Sequence, residues 1–95
     1  MIYVDDLLPC ARTRKWPYDE ACHLIADTET ELIDFGVSIG LRVSWLQKVG
    51  TPEVHFDLTA NKRAVALANG AMALDRRSFI KIVTDKKMAA LSWRR

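Results

Sequence analysis

Histidine and cysteine are scarce in this 95-residue chain, with two of each, and glycine is limited to four. That scarcity excludes several chemistries. The two cysteines lack CxxC spacing, no HExxH run occurs, and no glycine-rich loop stands ready to cradle a phosphate, which argues against a Walker-type site. No stretch approaches the ~20 apolar residues of a membrane span. The opening MIYVDDLLP carries two acids and no basic n-region, so a secretory signal is not expected. Cys10 and Cys22 are accordingly expected as reduced, partly buried thiols of a cytoplasmic protein. There is no internal repeat and no low-complexity segment. The length suits one small domain over residues 1–95, with a core over about 1–83 and a basic tail over 84–95.

Charge is missing locally as well. Residues 19–34 hold six acids and no base. Residues 1–75 carry seven Lys/Arg against eleven Asp/Glu, a net −4, whereas residues 76–95 carry seven bases and one acid, a net +6. The basic end (Arg76, Arg77, Lys81, Lys86, Lys87, Arg94, Arg95) reads either as a nucleic-acid contact or as a face that is solvated or docks on the chain's own acidic segment. The second reading is favoured, because few stacking aromatics are interleaved with the bases, Trp93 among them.

What is present alternates between strand and helix signals. Residues 2–4 are β-branched and aromatic, a first strand. Residues 8–20, with Pro9, Pro17 and the bases Arg12, Arg14 and Lys15, read as a loop, and 22–26 as a second strand. Thr28 opens a helix with Glu31 three residues on, a capping box. Leu32, Phe35, Gly36 and Ile39 form its apolar stripe, and Gly40 ends it. Residues 42–46 alternate and predict a third strand. After a loop over 47–53, residues 55–57 are extended, Thr59 caps an alanine-rich second helix to about Asn69, and Gly70 closes it. Residues 71–74 predict a last strand. Asp75 caps a further segment carrying Phe79, Ile80, Ile82 and Val83, whose period fits helix or strand. The order implies a small α/β sheet with parallel pairs and two to three helices, with ligands beyond the carboxyl ends of the strands.

Two short polar pairs stand out on this framework. His23 and Asp27 are four apart and share a face of a strand or a helix; His55 and Asp57 are two apart and share a face only when extended. If the pairs meet, two imidazoles and two carboxylates suit acid–base chemistry or a divalent ion, Mn²⁺, Mg²⁺ or Zn²⁺, in mixed N/O coordination. Asp5 is a further carboxylate at a strand end; Asp5 and Asp6 face opposite ways, so at most one joins. The competing reading has each His bonding a carbonyl and each Asp capping a turn or helix, Asp57 among them. Thr59, Lys62 and Arg63 surround a predicted helix N-terminus able to hold phosphate, or simply cap and solvate it. Arg42 and Trp45 are candidates for contact with a base or phosphate, against a core Trp and an ion-paired Arg. Trp16 belongs either to a binding loop or to the cover of a sheet edge. A Cys22–His23 dyad is not expected, since neighbours on a strand point to opposite faces.

The run W…CHLIADTETEL…IGLRVSWLQ…HFDLTANKRAVALANGA, opened by MIYVDD, resembles the domain-of-unknown-function 4031 family of bacteria and phages. The resemblance covers roughly residues 1–83, and its signatures land on Tyr3, Asp5, His23, Leu24, Asp27, Glu31, Leu32, Gly40, His55, Asp57, Arg63, Gly70 and Ala71. Family members commonly read ELH where this chain has Glu31-Leu32-Ile33. The family has no established activity, so the resemblance implies an identity without a mechanism.

Two function classes fit these residues. One is a binding or accessory module whose His/Asp cluster is a buried structural network, with loop 8–18 and the basic C-terminus meeting nucleic acid, nucleotide or protein. The other is a metal-assisted phosphoesterase or nucleotide-processing domain. Its catalytic residues would be His23, Asp27, His55 and Asp57, joined by Asp5 for the metal, with Thr59, Lys62, Arg63 and Arg42 for phosphate or ligand. Small size and the lack of a named motif place the module narrowly ahead. A homo-oligomer joining the acidic 19–34 segment to a neighbour's basic tail fits the charge pattern; a membrane partner does not.

Overall fold

The structure, a computed structural model, describes residues 1–92. It is an α/β fold whose organising element is the seven-residue strand β3 (Glu20–Ala26). Strand β1 (Ile2–Val4) runs antiparallel to it, with Ile2 opposite Ala26 and Val4 opposite Leu24. Strand β4 (Phe56–Leu58) also pairs β3 antiparallel, with His23 opposite Asp57 and Leu24 opposite Phe56. Strand β2 (Leu8–Pro9) pairs the start of β3, and β5 (Met72–Ala73) lies parallel to β1.

The expectation of parallel pairs therefore holds for β1 and β5 alone. Residues 5–19 return the chain from β1 to β3 without a helix, so those strands meet antiparallel. Only the segment through β4, α2 and β5 supplies a helical connection that lands beside β1. Within the predicted 8–20 loop, Leu8 and Pro9 add a short strand; Pro9 is tolerated there because β2 ends the path β2-β3-β1-β5.

Helix α1 (Glu29–Ser38) begins at Thr28, whose Oγ1 accepts from Glu31 N at 3.2 Å. The predicted capping box is only half made. The Glu31 carboxylate accepts from the Met1 ammonium at 2.6 Å instead of reaching back to the cap. Leu32, Gly36 and Ile39 are buried as the stripe requires, and Gly40 leaves the helix at φ 91°. Helix α2 (Ala60–Ala68) is capped by Thr59, which accepts from Lys62 N. Ala66 is its fully buried residue; Ala60, Ala64 and Ala68 are exposed.

Residues 42–46 are not a strand. Val43–Trp45 form a 3-10 turn, with Trp45 N donating to Arg42 O and Leu46 N to Val43 O. Val43, Ser44 and Trp45 are all exposed, so the alternation Arg-Val-Ser-Trp-Leu has no sheet face to bury against, and local hydrogen bonds win. The segment with the ambiguous period is helix α3 (Arg76–Ser92). Asp75 Oδ1 accepts from Ser78 N at 2.7 Å, and Phe79, Ile82, Val83 and Lys86 form one inward stripe at i, i+3, i+4 and i+7. The described part of the basic tail thus continues this helix; Trp93, Arg94 and Arg95 lie outside the described residues. Among the described residues no helix is long and apolar enough to cross a membrane.

The core lies between one sheet face and helices α1 and α2. Val4, Cys22, Leu24, Phe56 and Leu58 supply the sheet side, and Leu32 and Ala66 the helix side. The approach of α1 depends on Gly36, where an added Cβ would lie 2.5 Å from Phe56 Cε2. Phe56 is itself fully buried and has nowhere to move. Gly36→Ala is therefore expected to destabilise the fold by about 1–3 kcal/mol, the usual cost of overpacking, seen as a lower urea midpoint with an unchanged m-value.

Candidate metal centre

The alternation of β3 divides its side chains between two environments. Cys22 and Leu24 enter the core, and His23 points to the opposite face. Burial pushes the Cys22 thiol up to about 12, so it is a packing residue and not a nucleophile. Asp5, just past β1, and Asp57, directly across on β4, share the His23 face and flank it from the neighbouring strands. His55, two residues before Asp57, falls on the same face. Gln47 and His55 exchange backbone hydrogen bonds of 2.9 and 3.1 Å, which makes that segment extended as the spacing required.

The hydrogen bonds settle which nitrogen each imidazole offers. Glu53 O lies 2.8 Å from His55 Nδ1. A carbonyl only accepts, so Nδ1 carries the proton and a neutral His55 presents its Nε2 lone pair. His23 Nδ1 is 2.8 Å from Asp5 Oδ2, while Asp5 Oδ1 accepts from the His23 backbone N–H at 2.6 Å. His23 Nε2 is likewise left outward. Both Nε2 atoms face Asp57 Oδ1, at 3.4 Å from His55 and 3.9 Å from His23. The other carboxylate oxygen, Oδ2, accepts from the Gln47 side-chain amide. The two rings meet edge to face at 5.1 Å, and Phe79 of α3 lies 6.2 Å from His23.

Three acceptor atoms thus converge with their outer atoms already engaged. One donor atom from each of His23, His55 and Asp57 lies within 4.8 Å of the others. Metal–ligand bonds of about 2.0–2.2 Å put neighbouring ligand atoms about 3–3.5 Å apart. The His55–Asp57 separation of 3.4 Å meets that range, and His23 Nε2, at 3.9 Å from the same oxygen, lies just outside it.

The neighbours of this centre are equally defined. Arg63 on α2 donates from Nε to Asp5 O at 2.9 Å, so it braces Asp5. Lys62 Nζ donates to Ile39 O at 2.6 Å, and Thr59 is occupied as the α2 cap. Arg42 stacks over Trp45 at 5.7 Å. Asp27 does not join the histidines: four residues of strand carry it ~13 Å along β3, where it accepts from the Met1 ammonium at 3.2 Å and Tyr3 Oη at 3.1 Å. Asp6 is exposed, so only Asp5 of that pair takes part. Sequence reasoning missed Gln47 and the Glu53 carbonyl. Neither carries a sequence signal, because a bridge between residues eight apart creates the one and backbone geometry the other. Of the described tail bases, Lys81 pairs with Asp85, Lys87 with Glu53, and Lys86 caps Ala26 O.

Beside Asp57 a cleft of about 580 Å³ opens between loop residues 15–18, Trp45, Gln47 and the start of α2. Trp16, Tyr18, Trp45, Lys15 and Lys62 line it together with Asp57, whereas His23 and His55 do not.

The hydrogen bond to Asp5, reinforced by the charges of Asp5 and Asp57, raises the His23 pKa above 6.5 against the opposing effect of burial. Hydrogen bonding from His55, then from Gln47, holds the Asp57 carboxyl below its ordinary value. A raised histidine stabilises the fold below the unfolded pKa and loses that contribution as pH rises through the folded one. In chelator-treated protein, the stability difference between wild type and His23→Gln is therefore expected to be larger near about pH 5.5 than near about pH 8.5. Asp5→Asn should flatten that dependence, as measured by urea unfolding across pH.

No curated protein and no solved structure matches the chain. The family described as Protein of unknown function (DUF4031) matches residues 2–86, which include Asp5, His23, His55 and Asp57 and nearly the whole fold. The chain belongs to the DUF4031 family.

Proposed function

We propose that His23, His55 and Asp57 bind a divalent metal ion and that the domain uses it for metal-assisted hydrolysis of a phosphoester. The observation that carries this reading is the convergence of two imidazole Nε2 atoms on one carboxylate oxygen, with the Nδ1 atom of each ring already engaged elsewhere. When both imidazoles are neutral, two lone pairs and a carboxylate oxygen stand against one another, an arrangement that is repulsive until a proton or a metal cation sits between them. Both histidines also carry the outer-shell partners that metal ligands use: a carboxylate on His23 and a carbonyl on His55.

Two imidazoles and one carboxylate form the three-protein-ligand set of catalytic zinc and related sites, with a further position left for water. Nitrogen-rich coordination favours Zn²⁺ or Mn²⁺ over Mg²⁺, which demands oxygen ligands. A metal held there would lower the pKa of a bound water and supply a nucleophile for the phosphoester. Attack of that oxygen on phosphorus would break the bond to the ester oxygen, which would leave as the alcohol after taking up a proton. Among the described residues Lys15 lines the cleft without a side-chain partner and would meet the phosphate, while Lys62, also in the lining, keeps one N–H on Ile39 O. An accessory role resting on the basic C-terminus has less support, because Lys81, Lys86 and Lys87 are tied to the chain's own acceptors.

Metal-stripped protein is expected to gain about 2.7 kcal/mol of stability at a hundred times the dissociation constant of Zn²⁺ or Mn²⁺, with a smaller gain from Mg²⁺. The gain should vanish in His55→Ala and fade as acid protonates the imidazoles. Asp5→Asn should weaken metal binding about 10–100-fold. An unshifted wild type, with His55→Ala destabilised by about 1–3 kcal/mol through its orphaned partners, would reject the metal and return the cluster to a structural role. Thermal and urea unfolding decide between these outcomes.

A further inference from the structure

Resting on that reading, we infer that the substrate is a mononucleotide, bound in the cleft beside Asp57 with its base on the aromatic wall and its phosphates toward Lys15, Lys62 and the metal ligands. The cleft's volume of about 580 Å³ lies within the range of small-molecule sites, ~300–1,000 Å³, and suits one nucleotide better than a strand. Its lining divides by chemistry. Trp16, Tyr18 and Trp45 supply ring surface; Lys15, Asn61 and Lys62 supply cationic and amide donors; Asp57 marks the side where the metal ligands stand.

The aromatic wall is built and braced. Trp16 Nε1 donates to Glu20 O at 3.2 Å, and its backbone N–H bonds Thr13 Oγ1 at 3.0 Å. Tyr18 packs edge to face on Trp16 with centroids 5.2 Å apart. Trp45 stays about half exposed although it lines the cleft, and Arg42 holds its ring from one side. A half-exposed ring at the cleft is available for stacking with a base, which would bury it and tolerate any base identity. Among the described residues no side-chain hydrogen bond or ion pair engages Lys15 or Asn61, so their donors are free for an anion.

A phosphate-only substrate would use the cations and leave the aromatic wall idle. The rings therefore point to a base-bearing ligand, and the test must separate base from phosphate. Isothermal titration of the Mn²⁺-loaded protein with ATP, and separately with inorganic triphosphate, makes that separation. ATP is expected to bind at least about tenfold more tightly, the order expected of one base–aromatic stack. Trp45→Ala should erase the difference and leave triphosphate and Mn²⁺ affinity unchanged. Trp45→Phe should restore most of it, which distinguishes lost stacking from a disturbed fold. Lys15→Ala should weaken both ligands alike.

Equal affinity for ATP and triphosphate in the wild type, or a difference that survives Trp45→Ala, would overturn the inference. Tighter binding of a single-stranded oligonucleotide than of ATP would also overturn it, in favour of a nucleic-acid groove. The metal reading fails separately. If Mn²⁺ does not bind but ATP still exceeds triphosphate in a Trp45-dependent way, the nucleotide cleft stands without the metal centre. If Mn²⁺ binds and the nucleotide is not preferred, the metal centre stands and the cleft assignment falls.

Discussion

The two-residue period of β3, locked in register with β1 and β4, is the constraint on which both the core and the centre depend. Val4, Leu24 and Phe56 meet across three strands on the covered face. One residue along, Asp5, His23 and Asp57 meet on the other. A slip of one residue would exchange the two sets, moving two carboxylates and an imidazole into the apolar core. Burial of Leu24, Phe56 and Leu58 thus specifies the geometry of the polar cluster that the same strands carry on their other side.

The cluster is held by its surroundings more than by its own attraction. Asp5, Glu53 and Gln47 each fix the outward atom of His23, His55 and Asp57 respectively, and Arg63 fixes Asp5 from helix α2. Such bracing places like electrostatic ends together, a configuration the fold maintains because the strands beneath are rigid. Sites organised in this way favour a cation at the moment of folding or afterwards, and they couple metal affinity to pH through the same imidazoles. The histidine that this chain lacks at Ile33 does not weaken the arrangement: position 33 lies on α1, which packs against the opposite sheet face.

The cleft owes its shape to the two segments that sequence patterns describe least well. The 3-10 turn over Val43–Trp45 presents the Trp45 ring where a strand would have paired it away, and loop residues 15–18 bring the Trp16–Tyr18 pair and Lys15 to the same cleft. Strands carry the proposed ligands while loops line the cleft, a common division of labour in α/β domains.

Much of this was legible in the linear chain. Thr28 and Thr59 as caps, Gly40 and Gly70 as helix ends, β1, the α1 stripe and the opposition of Cys22 to His23 all follow from short-range rules of geometry and hydrogen bonding. The candidate centre was half legible: His55 and Asp57 share a face because they are two apart on an extended segment, yet the His23–Asp27 pairing by the same logic led to a residue that strand rise carries out of reach. Tertiary structure alone decided that β3 lies between β1 and β4, that Asp5 rather than Asp27 supports His23, that Gln47 holds Asp57, and that residues 42–46 turn instead of pairing. The physical reason is range. Caps, turns and face alternation act within about four residues, whereas the meeting of residues 5, 23, 55 and 57 depends on which strands bury their apolar faces together.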